Sequence, residues 1–146
     1  MSVRLQKMKM KLGLLNVKAA QSKGKVFICC LSHLRQVPKE NNFVFMTTRG
    51  KRSVNGVRQT SELAPSRGLF NKYSKDWKLS ENKNWWPTYR KQYLKELDYT
   101  FIDKLKVGLD DGKNITLMCF CGDETYCHRT LLKELFSNLN YETISY

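Results

Sequence analysis

Asn114-Ile115-Thr116-Leu117-Met118-Cys119-Phe120-Cys121-Gly122-Asp123-Glu124-Thr125-Tyr126-Cys127-His128-Arg129, continuing as TLLKELF to residue 136, passes from an apolar run through a polar turn into an amphipathic segment. The apolar, partly β-branched run 114–120 predicts a strand covered on both faces, and the spacing after it predicts a helix over 130–139. A strand feeding a helix through such a turn is the repeating unit of an open α/β sheet. The start of that helix offers unpaired amides and a partial positive charge.

Outward from this unit, Lys25–Ser32 (KVFICCLS) and Asn42–Thr48 (NFVFMTT) read as two more buried strands, and Tyr141–Tyr146 as a short edge strand. Residues 1–24 alternate basic and apolar side chains (Lys7, Met8, Lys9, Met10), which suits a half-exposed strand. Leu34–Asn41 contains Pro38 and reads as a loop or one helical turn. Arg49–Ala64 reads as a long connection of Gly, Ser, Asn and basic residues that can close over a ligand. Pro65 and Ser66 start a short helix with Leu69, Phe70 and Tyr73 at helical spacing, ending near 74–76. Over 84–106, Trp86, Tyr89, Tyr93, Leu97, Phe101 and Leu105 recur about every four residues, predicting the longest helix, with Pro87 in its first turn. This order of elements implies a mainly parallel sheet with helices packed on it.

The chain has 146 residues, enough for one domain with a core of its own, and 41% hydrophobic with 12% aromatic content argues against a disordered protein. Lys and Arg number 26 against 13 Asp and Glu, a formal charge of +13, so the expected partners are anionic. Five cysteines, with Cys29 and Cys30 adjacent, and no apolar leader at the N-terminus point to a reducing, cytoplasmic setting. No run approaches the roughly 18 apolar residues that cross a bilayer, so no membrane partner is expected.

Three motifs stand in order: Leu63-Ala64-Pro65-Ser66, the segment Tyr89-Arg90-Lys91-Gln92-Tyr93-Leu94-Lys95-Glu96-Leu97, and the strand that ends in Cys127-His128-Arg129. In these the chain resembles the family catalogued as domain of unknown function 488, with the match strongest over 63–136. The resemblance implies one three-layer α/β domain over 1–146, flavodoxin-like or Rossmann-like, and implies no settled activity. One departure stands out: Met46-Thr47-Thr48-Arg49-Gly50-Lys51-Arg52 stands in a region that members of the resembled family usually fill with an Asp-Arg or Asp-Val-Arg strand end.

The polar turn admits three chemistries. Cys119, Cys121, Cys127 and His128 are zinc-type donors, although a helix start is expected to point Cys127 and His128 apart, and Cys119 reads equally as a core thiol. Cys127 at a helix N-terminus beside His128 and Arg129 suits a nucleophile, and Asp123 is separately a candidate general base on water or a sugar hydroxyl. The preferred reading is an anion pocket shaped by Asp123 and Thr125 and completed by His128 and Arg129, without metal or other cofactor. Its candidate catalytic residues are Asp123, Cys127 and His128. Ser66 and Arg67 at a helix start, Arg49 and Arg52 in the long connection, and Arg90 beside the aromatic residues complete the ligand-binding set. Helical periodicity buries Trp86, Tyr89 and Tyr93 together, leaving Trp85 to stack on a base.

The expected function is binding of a nucleotide-like, phosphate-bearing small molecule at the C-terminal ends of the strands, with sequestration or hydrolysis. In a virus such a protein would remove host nucleotide signals. The alternatives are a DNA- or RNA-binding module that uses the whole basic surface, and an inhibitor that shows that surface to an acidic protein. Oligomeric state stays open.

Overall fold

A computed structural model describes residues 23–50, 53–120 and 125–146. Five strands form one sheet: β1 (Val26–Cys30), β2 (Asn42–Met46), β3 (Val57–Gln59), β4 (Asn114–Cys119) and β5 (Thr143–Ser145), in the order β3-β2-β4-β1-β5. Every pairing is parallel. The chain is a single α/β domain of the flavodoxin or Rossmann type over the described residues. The expected strand in 1–24 lies almost wholly outside them.

Side-chain alternation along the strands sorts the core into two faces. Val26, Ile28, Phe45, Ile115 and Leu117 point to one face and pack with the α-helices. Phe27, Cys29, Met46 and Met118 point to the other, where Val37 and the 3-10 turn Leu31–Gln36 meet them. The helices are α1 (Arg67–Lys72), α2 (Trp86–Glu96), α3 (Tyr99–Asp110) and α4 (His128–Asn138).

Two expectations are corrected here. The long connection 49–64 contains β3, whose register sets Val44 beside Val57 and Met46 beside Gln59. A strand of three residues is too short to show a period of two. The side-chain amide of Gln59 donates to the Thr48 and Gly50 carbonyls, tying the loop after β2 to this edge.

The single helix expected over 84–106 is two helices. Leu97 is extended, and Asp98 caps α3 by accepting a hydrogen bond from the Phe101 amide at 3.1 Å. The apolar spacing runs through the break because Leu97 and Phe101 are both buried on the same core. The short helix started by Ser66, α1, passes into a π-helical turn, Tyr73–Trp77, within a residue of its expected end.

Candidate functional site

The register places three strand ends side by side. Cys30 pairs with Cys119 across β1 and β4, and the Thr47 amide donates to the Met118 carbonyl just beyond β2. By alternation Cys30, Cys119 and Thr47 share the face of Ile28, Leu117 and Phe45, the side on which the helices lie. The first turn of α4 comes down on this row. Cys127 is its N-cap residue, and Cys127, His128 and Arg129 are 4%, 7% and 2% exposed.

His128 sits at the centre. Its Nε2 lies 2.8 Å from the Thr47 carbonyl and 2.9 Å from Thr47 Oγ1. A carbonyl only accepts, so Nε2 carries the proton. The Thr47 hydroxyl donates its own hydrogen to the Met118 carbonyl at 3.1 Å, leaving its oxygen to accept from His128. Nδ1 then holds a lone pair facing Cys127 Sγ at 3.7 Å. Burial drives the His128 pKa down to about 4, and the positive Arg129 adds to the shift. The imidazole is therefore neutral at pH 7, fixed in one tautomer and backed by the Tyr93 ring, 5.6 Å away between centroids. Tyr93 is held in turn by its hydroxyl, which donates to the Leu63 carbonyl at 2.7 Å.

The sulfurs cluster beside this pair. Cys119 Sγ and Cys127 Sγ lie 3.4 Å apart. None of Cys29, Cys30, Cys119 and Cys127 is in a disulfide. Arg129 lies among these sulfurs, and none of its three guanidinium nitrogens has a hydrogen-bond partner among the described residues. Burial opposes its charge, but Cys119, Cys127 and Cys30 more than offset that and raise its pKa. Arg129 also lines a cavity of about 20 Å³ with Ile28, Thr130, Lys133 and Ser145. Such a space holds one water molecule or one anionic oxygen.

Several candidates lie elsewhere or act otherwise. Trp85 is buried, stacked on Trp77 with centroids 5.5 Å apart, so it is not the ring left open for a base. Its place just before α2, where it meets the π-helical turn, overrides the helical periodicity. Trp86 keeps a half-exposed face and stacks on Tyr89 at 5.5 Å. Arg90 pairs with Glu134 at 2.5 Å, joining α2 to α4 on the surface. Arg49 donates to the Pro65 carbonyl at 2.9 Å. Ser66 accepts from the Leu69 amide and donates to Glu96, which makes it a helix cap, and Arg67 is exposed. Thr125 is exposed in the turn before α4. Arg52, Cys121 and Asp123 lie outside the described residues.

Cys127 and His128, expected to point apart, face each other at 3.7 Å, with the N-cap residue Cys127 in an extended conformation. Among the described residues no three His, Cys, Asp or Glu side chains stand where they would share a metal ion.

Residues 26–139 match the family model described as the active DUF488-N3 subclade. The chain belongs to this family. No curated protein and no solved structure matches it at a significant level. Thr47, just beyond β2, was not among the expected site residues, and its contact with His128 makes it part of the site. Its signal was the polar pair Thr47-Thr48 closing an otherwise apolar strand. Cys30 also escaped notice; its signal was the adjacent pair Cys29-Cys30, which alternation splits between the two faces, burying Cys29 and leaving Cys30 half-exposed.

Proposed function

We propose that this DUF488-N3 protein binds a nucleotide-like, phosphate-bearing small molecule at the C-terminal edge of its sheet and sequesters or hydrolyses it. The observation that carries this is the buried guanidinium of Arg129 with three unpaired nitrogens among the described residues. A buried cation without a partner costs several kcal/mol, and an anionic ligand removes that cost. The guanidinium fork suits phosphate oxygens, and its place in the first turn of α4 adds the helix dipole.

The water-sized cavity takes one anionic oxygen, so the rest of the ligand lies outside it. Half-exposed Trp86, stacked on Tyr89, offers a surface for a base. Neutral His128 with Nδ1 toward the Cys127 thiol gives a thiol and base pair for hydrolysis, in keeping with a subclade described as active. The expected setting is the cytoplasm, where the cysteines stay reduced, and among the described residues no helix is long and apolar enough to cross a membrane. In a virus the same activity would remove host nucleotide signals.

The test is a thermal-shift and calorimetric screen of the wild type and Arg129→Gln against cyclic dinucleotides and ADP-ribose derivatives, with chromatography of the incubated ligand. Stabilisation of the wild type that Arg129→Gln loses supports the reading. No stabilisation by any of them overturns it. The charge of +13 favours a second reading, a DNA- or RNA-binding surface. It predicts polymer affinity that falls steeply with salt, because neutralised phosphates release condensed counterions, and that is indifferent to Arg129.

A further inference from the structure

Among the described residues, Cys30 is the sulfur of the cluster that reaches solvent. It ends β1, directly before the 3-10 turn Leu31–Gln36, and is half-exposed while Cys29, Cys119 and Cys127 are buried. Its Sγ lies 2.9 Å from the Ser32 hydroxyl. Ile28 and Cys30, two apart on β1, present side chains to the same face, and Arg129 reaches both: it shares the small cavity with Ile28 and acts electrostatically on Cys30. His33, three residues on, also acts on Cys30, and its Nδ1 is buried without a partner among the described residues. A half-exposed thiol beside a hydroxyl and within reach of a buried cation is the environment in which thiolates form and react.

We infer that Cys30 and Arg129 form one covalent site, in which the Cys30 thiolate attacks a small carbon electrophile whose anionic group the Arg129 guanidinium holds. The inference rests on the anion-binding reading of Arg129 and adds the reacting atom. In the step, an Sγ lone pair bonds to the electrophilic carbon while that carbon's bond to its leaving group breaks. The leaving group departs with the bonding pair and takes the negative charge, so no oxidant or reductant enters. The groups that face Cys30 agree with this chemistry. The Ser32 hydroxyl lowers its pKa most, and Arg129 and the His33 amide and imidazole act in the same direction against the effect of burial. Neighbouring Cys29 behaves oppositely, its pKa pushed up to about 11 by burial and by Cys30. Of the adjacent pair, only Cys30 is set up to react.

The experiment uses the native full chain, alkylated in parallel with anionic iodoacetate and neutral iodoacetamide, with each cysteine followed by peptide mass spectrometry and a free thiol as reference. Cys30 is expected to react ahead of Cys29, Cys119 and Cys127. Its iodoacetate-to-iodoacetamide rate ratio should exceed that of the free thiol by roughly tenfold, the low end of what charge focused in a cleft contributes. Inorganic phosphate should suppress that excess, and Arg129→Lys should retain part of it while Arg129→Gln loses it. Reaction of Cys30 no faster than the free thiol, or fast reaction without charge preference, overturns the inference. The phosphate competition is read on wild-type protein, so the result holds even if an Arg129 variant folds poorly. A retained iodoacetate preference with no nucleotide stabilisation would sink the nucleotide reading and leave this site standing.

Discussion

Acidification should unfold this protein partly through one histidine. His128 has a folded-state pKa of about 4 because it is buried against Thr47, Tyr93 and Arg129, whereas an unfolded histidine titrates near 6.5. Between those values the unfolded chain binds more protons than the folded one, so stability rises with pH across the window and is lost as pH falls. The full effect is about 3 kcal/mol below pH 4, of which about 2 kcal/mol is already lost at pH 5. Urea unfolding followed by tryptophan fluorescence at pH 7, 6 and 5, on wild type and His128→Gln, isolates this contribution. Glutamine keeps a donor for the Thr47 carbonyl but does not titrate, and carboxylate effects common to both proteins cancel in the difference. The wild type should lose about 2 kcal/mol more than the variant between pH 7 and pH 5. A constant difference across that range would mean that His128 is not held neutral in the folded protein and would refute the tautomer argument with it.

Arg129→Met should remove anion binding while leaving stability unchanged or raising it by about 1–4 kcal/mol, as expected when an apolar side chain replaces a buried charge; a melting curve and the ligand screen check both. Asp98→Ala should cost about 1 kcal/mol by removing the cap that separates α3 from α2, measured by chemical denaturation. Arg90→Ala should change stability by less than about 1 kcal/mol and leave ligand-induced thermal shifts intact, since its pair with Glu134 is close to half exposed and stands on the surface.

The three longer strands and the caps are local features, and the sequence shows them plainly. Apolar runs such as Val26–Cys29 and Ile115–Cys119 announce buried strands because a strand covered on both faces admits few polar side chains, and those paired, as Thr116 is with Asn42. Ser66 announces a helix start because its hydroxyl meets an amide only three residues away. The single helix expected over 84–106 failed for the same reason of scale: the cap at Asp98 is local, but the apolar spacing of Leu97 and Phe101 serves the shared core and masks it. The candidate site was half legible. Cys127, His128 and Arg129 declared themselves by their crowding at a strand-to-helix turn, and the family match spans them.

Composition and spacing along this chain are enough to say that it builds a parallel α/β sheet with a basic surface and a polar turn before its last helix. Which groups meet at that turn follows from strand order. Inserting β4 between β1 and β2 sets Cys30 beside Cys119 and Thr47 under His128, bringing together residues some 80 to 90 positions apart. A hydrophobic pattern specifies which face of a strand is covered, because burial depends on each side chain's own transfer from water. It carries no record of the polar neighbour across the gap, and so the unpaired guanidinium of Arg129 and the half-exposed thiol of Cys30 become visible only once the elements are packed.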